Sequence, residues 1–187
     1  MRFWRGFCFP QIWLTLPPII LPYLKMKIQE NRVAVVTYLL KGDDGLVIQE
    51  ATAENPFAFI HGTGQVLPAF DSALLGKVAG DLYEFRLTPE EGYGHYDDSR
   101  IEDLDPQIFA EAPAEYIVVG ATLPMEFNGH TVFGKITEIR PDAVVMDFNH
   151  PLAGKSLNFS GIVIEVRDAS AEELAHGHVH GPGGHHH

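Results

Sequence analysis

Apolar runs with strand character dominate this chain. Val33-Ala34-Val35-Val36-Thr37-Tyr38-Leu39-Leu40 is β-branched and aromatic and predicts a strand. Gly42-Asp43-Asp44-Gly45 predicts a turn, and Leu46 to Glu50 returns as the second arm of a hairpin. Phe57-Ala58-Phe59-Ile60 predicts a short strand with both phenylalanines on one face. Pro68 to Leu75 suits a short helix, with proline in its first turn and Gly76 just past its end. Tyr83 to Thr88 alternates, placing Tyr83, Phe85 and Leu87 on one face of a strand. Pro89 to Arg100 is polar and glycine-containing, hence a loop.

A second block follows, from about Ile101 to Asp147. Tyr116–Val119, Thr122–Phe127, Thr131–Ile139 and Ala143–Phe148 all predict strands, and Asn128-Gly129 between two of them signals a hairpin. Asn149 to Gly154 is a loop, and Leu157 to Arg167 predicts a long final strand. Ser170-Ala171-Glu172-Glu173 has the capping-box pattern that starts a helix. The order predicts an α+β fold, mostly antiparallel β, with one domain inserted in another. The tail after Ala175, rich in Gly and His, is expected to be mobile without metal.

Composition narrows the function. At 187 residues, 45% of them hydrophobic, the chain holds enough apolar material for one domain or two small ones. The formal net charge of −12 argues against nucleic acid, which needs a basic face. The single cysteine, Cys8, forms neither an internal disulfide nor a cysteine-based zinc site.

The first 25 residues stand apart, apolar and aromatic but broken by Pro10, Pro17, Pro18 and Pro22. They read as a misassigned start ahead of Met26, as a signal or anchor, or as an ordered extension, the first being favoured because the prolines interrupt any apolar helix. The protein is expected to be a cytoplasmic monomer, with membrane contact only if the N-terminal extension is real.

Four stretches together resemble the SlyD-type branch of the FK506-binding (FKBP) peptidyl-prolyl isomerases. They are Phe59-Ile60-His61-Gly62-Thr63-Gly64; Ala73-Leu74-Leu75-Gly76 with Gly80-Asp81; Tyr93-Gly94-His95-Tyr96-Asp97; and Asn149-His150-Pro151-Leu152-Ala153-Gly154. The match runs on through Glu172 to His178 and covers about Met26 to His180. The resemblance implies a twisted sheet around a short helix, with a β-rich insert-in-flap domain. It divides the chain into a non-family extension (1–25), a discontinuous isomerase domain (26–100 and 148–175), a chaperone insert (101–147) and a histidine tail (176–187).

The resemblance also implies a prolyl pocket of Tyr38, Phe57, Phe59, Val66, Leu67, Phe70, Tyr93, Tyr96 and Phe159, with no cofactor needed. Two positions depart from the pattern: Gln49 stands where relatives carry an acidic residue, and Ala69 where a glycine is common. On their own, aromatic residues on strands read as ordinary core, and only the family match favours a pocket. The implied substrates are unfolded or proline-containing polypeptides. The insert's segments Tyr116–Val119, Leu123–Met125, Val132-Phe133 and Val144–Met146 serve either as an exposed client surface or as the insert's own small core.

Six of the ten histidines fall in the last twelve residues. His176, His178 and His180 alternate with other residues, and imidazoles suit Ni²⁺, Zn²⁺ or Cu²⁺. His185, His186 and His187 read as further ligands or as the stub of an expression tag. Two rival functions follow: a module that binds proline-containing chains without turnover, and a nickel carrier serving metalloenzyme maturation proteins.

Overall fold

A computed structural model describes residues 25–127 and 129–180. The expected N-terminal extension, save Lys25, and His185 to His187 lie outside these residues. Two antiparallel sheets carry the fold. The first contains β1 (Arg32–Lys41), β2 (Val47–Ala51), β3 (Phe57–Ile60), β4 (Leu82–Leu87) and β9 (Leu157–Asp168), in the order β2-β1-β9-β4 with β3 also paired to β1. The second contains β5 (Ile101–Leu104), β6 (Thr122–Phe127), β7 (His130–Ile139) and β8 (Val144–Asp147), in the order β5-β8-β7-β6.

Helix α1 (Pro68–Leu74) lies on the first sheet and buries Phe70 and Leu74. Proline occupies its first turn, where an amide hydrogen has no partner inside the helix anyway. Seven residues are too few for a stable isolated helix, so packing holds it. The core beneath it joins Ala34, Val36 and Leu40 of β1, Phe59 of β3, Tyr83 and Leu87 of β4, and Leu157, Phe159 and Val163 of β9. Each large side chain buried there contributes about 1.5–3 kcal/mol. A bulge opposite Val35 and Val36 leaves Ile164 as the unmatched residue of β9.

The second sheet has a smaller core of Phe109, Ile136, Val144 and Met146. Its hairpin closes with Phe127 opposite His130, as the Asn-Gly pair predicts. Tyr116–Val119 is not the strand its composition predicts. Pro113 starts a tight turn over Ala114–Tyr116, and the Ala121 amide closes another by donating to the Val118 carbonyl at 3.0 Å. β5 is not predicted: Ile-Glu-Asp-Leu is short and half of it is acidic, and pairing with β8 supplies what propensity does not.

Two chain segments strap the sheets together. The Phe148 amide donates to the Arg100 carbonyl at 3.0 Å, and Asn149 exchanges hydrogen bonds with the Asp97 backbone at 3.0 and 2.9 Å. The Tyr96 hydroxyl donates to Asp147 Oδ2 at 2.8 Å.

Helix α2 (Ala171–His176) starts with the predicted capping box: Ser170 Oγ accepts from the Glu173 amide, and Glu173 Oε2 accepts from the Ser170 amide. The segment to His180 is held rather than free. Arg167 grips the Glu173 carboxylate at 2.9 and 2.7 Å, and Glu173 Oε1 accepts from the His180 amide at 3.1 Å.

Candidate active site

An aromatic chain crosses the first sheet on the α1 side. Tyr38 meets Phe57 edge-on at 5.8 Å and Phe159 at 6.0 Å between ring centres. Phe57 stacks on Phe59 at 5.8 Å, and Phe70 meets Phe59 at 5.8 Å and Phe159 at 5.0 Å. Strand alternation explains the grouping, because residues two apart on one strand share a face and helix α1 presents Phe70 to them. Phe59, Phe70 and Phe159 are buried, whereas Tyr38 and Phe57 are half-buried and form the accessible edge. Val66 and Leu67 pack against the same cluster from the loop before α1.

That loop is fixed by groups that periodicity does not reveal. Asp71 of α1 pairs with His61 Nδ1 and accepts from the Gly62 amide at 2.9 Å. Gln65 Oε1 accepts from the Ile60 amide at 2.7 Å, and its Nε2 donates to the Gly177 carbonyl. The loop is therefore tied at both ends to secondary structure, which places Val66 and Leu67.

Tyr93 and Tyr96 part company. Tyr93 stacks on His150 with ring centres 3.7 Å apart and planes 8° apart, and is 40% exposed, so it stands at the rim. Its hydroxyl has no hydrogen-bond partner among the described residues, which leaves it available to a ligand. Burial raises the Tyr38 pKa, with a further push from Tyr93, so the Tyr38 phenol is a neutral donor at neutral pH. Tyr96 instead spends its hydroxyl on Asp147 in the strap. Burial also lowers the His150 pKa, keeping that ring neutral against Tyr93.

Sequence reasoning did not assign Phe85, Tyr83 and Gly161 to the site. Phe85 packs on Phe70 at 5.6 Å and on Phe159 at 5.5 Å, and Tyr83 stacks behind it at 5.7 Å. Tyr83 donates to the Thr37 carbonyl at 2.8 Å, one residue before Tyr38. Gly161 makes room for this contact: a Cβ there would lie 2.0 Å from the Thr37 oxygen and 2.8 Å from the Tyr83 hydroxyl. The one-face alternation of Tyr83, Phe85 and Leu87 was the available signal.

Such a site offers apolar walls, the neutral Tyr38 phenol, the Tyr93 hydroxyl at its rim and no nucleophile. The profile of FKBP-type peptidyl-prolyl cis-trans isomerases matches residues 25–119, which hold every element of the pocket except β9. The FKBP-type isomerase SlyD of Haemophilus influenzae is 38% identical over 160 residues, covering 83% of this chain and 81% of that protein. SlyD of Vibrio cholerae is 35% identical over 159 residues, covering 85% and 78%, and that of Escherichia coli 33% over 156 residues, covering 83% and 79%. This chain belongs to the FKBP-type peptidyl-prolyl cis-trans isomerase family. As a SlyD-like member it is an enzyme that acts on X–Pro bonds, a reaction that calls for no cofactor.

A second cluster lies on the tail. One nitrogen from each of His176, His178 and His180 falls within 4.8 Å of the others, and His176 Nδ1 is 3.3 Å from His180 Nε2. Two nitrogens each about 2.0–2.1 Å from a tetrahedral ion sit about 3.3 Å apart, so the donor set fits a metal. Gly177, with φ 69°, turns the chain out of α2 and brings His178 and His180 back toward His176.

Proposed function

We propose that isomerisation takes place over Tyr38, Phe57, Val66, Leu67, Phe70 and Phe159, with Tyr93 at the rim and Phe59 supporting the floor. The carrying observation is the continuous aromatic surface from Phe57 through Tyr38 to Phe159 and Phe70. Rotation about a peptide bond meets a barrier of about 18–20 kcal/mol, set by amide resonance. Water bonded to the carbonyl stabilises the planar, polar form. An apolar pocket strips that water and favours the twisted, less polar amide, so it binds the transition state better than the ground state. The free Tyr93 hydroxyl orients the peptide by hydrogen bonding. Tyr96 acts at a distance, through the strap.

Tyr93→Ala tests the assignment. It should keep the fold, because the ring sits at the surface, and lower turnover of a short X–Pro peptide by up to about tenfold, the worth of one hydrogen bond. Unchanged turnover removes Tyr93 from the mechanism.

The inserted block that carries the second sheet serves as the client-holding module, as its exposed Tyr116, Val118, Val119, Phe127 and Phe133 support. Extended chains would dock on this apolar surface. His176, His178 and His180 hold a divalent ion, Ni²⁺, Zn²⁺ or Cu²⁺, with His185 to His187 as further ligands. Nickel titration of the protein with and without residues 176–187 decides this, and binding that survives truncation excludes the tail. No helix among the described residues is long and apolar enough to cross a membrane, and the working compartment is proposed to be the cytoplasm.

A further inference from the structure

The first sheet has a second face. Alternation turns Tyr38, Phe159 and Tyr83 toward α1 and their neighbours outward. On the outer side, register places Glu50, Leu39, Ser160 and Glu84 in one row across β2, β1, β9 and β4. Ile162 and Leu82, paired across β9 and β4, form the next row. Together they line an open cavity of ≈ 800 Å³ whose floor is the strand backbone at Gly161.

The chemistry of this cavity is specific. Leu39, Ile162 and Leu82 make its centre apolar, and Leu82 is 76% exposed. A carboxylate stands at each end, and neither has an ion-pair partner among the described residues. Glu50 and Glu84 lie three strands apart, about 14 Å at about 4.8 Å per strand. In an extended peptide, residues i and i+4 point to the same side and lie about 13 Å apart, with i+2 between them.

We propose that this outer face is a second polypeptide-docking site, which takes an extended segment with basic residues at i and i+4 around an apolar residue at i+2. The segment crosses the strands, its cations meet Glu50 and Glu84, and its central side chain lies on Leu39, Ile162 and Leu82. The site requires no proline and lies on the face opposite the aromatic pocket. A client could thus be held by a basic stretch while its X–Pro bond turns over elsewhere. The chain's net charge of −12 favours the same class of segment.

The test uses the proline-free peptide Gly-Lys-Gly-Leu-Gly-Lys-Gly and methyl NMR of the full protein. Saturable shifts are expected at Leu39, Leu82 and Ile162. Glu84→Lys should weaken binding about fivefold, the effect of a surface ion pair lost or reversed. Turnover of a short X–Pro peptide should not change in that variant. Leu82→Ser, a change at an exposed position, should weaken binding without affecting the fold. The proposal is overturned if Gly-Gly-Leu-Lys-Lys-Gly-Gly binds equally well, because spacing then plays no part. It is also overturned if millimolar peptide leaves the three methyl groups unmoved, or shifts only residues of the aromatic pocket.

Discussion

The two sheets use their apolar side chains in opposite ways. The first turns Phe59, Tyr83 and Phe159 inward against Phe70 of helix α1, and its half-buried Tyr38 and Phe57 form a small, closely packed edge. The second buries Phe109, Ile136, Val144 and Met146, but leaves Phe127 58% and Phe133 64% exposed. A domain this small cannot bury all of its apolar surface. What one sheet spends on shape the other leaves available for unspecific contact. That contrast fits a division of labour between chemistry on one bond and adhesion to a chain.

The strongest way to break the contrast is to attack the rigidity of the first sheet. Gly161→Ala puts a methyl group against the Thr37 carbonyl and the Tyr83 hydroxyl, and backbone must move to admit it. The expected loss is about 3 kcal/mol of stability, at the upper end for overpacking. Chemical denaturation measures it, and amide exchange should assign the loss to β1, β4 and β9 rather than to β6–β8. Wild-type stability in this variant would mean that the sheet yields easily and that pocket rigidity is not its special property.

Removing the second sheet comes next. Arg100 and Phe148 are already hydrogen-bonded neighbours, so a short linker can replace residues 101–147. Turnover of a short peptide should persist, while proline-limited refolding of a protein should slow about tenfold, an affinity loss of about 1.4 kcal/mol for the client. If both rates fall equally, the two sheets do not divide the work.

Side chains of the second sheet give a finer comparison. Ile136→Ala, at a fully buried position, should cost about 2–4 kcal/mol of the insert's stability. Phe133→Ser, at an exposed one, should stay within about 0.5 kcal/mol yet reduce client holding severalfold. The reverse pattern in a thermal melt and a client-aggregation assay would make Phe133 a structural residue.

How far the sequence discloses this division depends on the kind of interaction. β1, β3, α1, β4, β6 and β9 follow from periodicity, proline position and β-branching, because each buries one face along an uninterrupted run. Tyr116–Val119 misleads because its composition is strand-like while Pro113 and the Val118–Ala121 turn decide its shape. Tyr38, Phe57, Phe70 and Phe159 gather as the family resemblance implies. Phe85, the Tyr83–Gly161 fit and the His61–Asp71 tie depend on contacts between residues far apart in the chain or on a single hydrogen bond, which no local pattern encodes. The Tyr93–His150 stack joins two recognised motifs whose proximity only the folded chain reveals.

The gentlest perturbation acts on the strap between the sheets. Burial pushes the Asp147 pKa up, but hydrogen bonds from the Asn149 amide, the Tyr96 hydroxyl and the Asn149 side chain outweigh it, and the net shift is downward from 3.8. A carboxyl with a folded value below its unfolded one stabilises the fold above the unfolded value and loses that contribution as pH falls. The strap should therefore be intact at neutral pH and loosen below about pH 4, near the unfolded value of an aspartate. Amide exchange at Asn149 and Phe148 would rise in that window before the first sheet unfolds. Tyr96→Phe removes one of the compensating bonds, so loosening should begin at higher pH. Loosening that sets in at the same pH in the variant would show that Tyr96 does not hold the strap, and the sheets would then be coupled through the Phe148–Arg100 and Asn149–Asp97 hydrogen bonds.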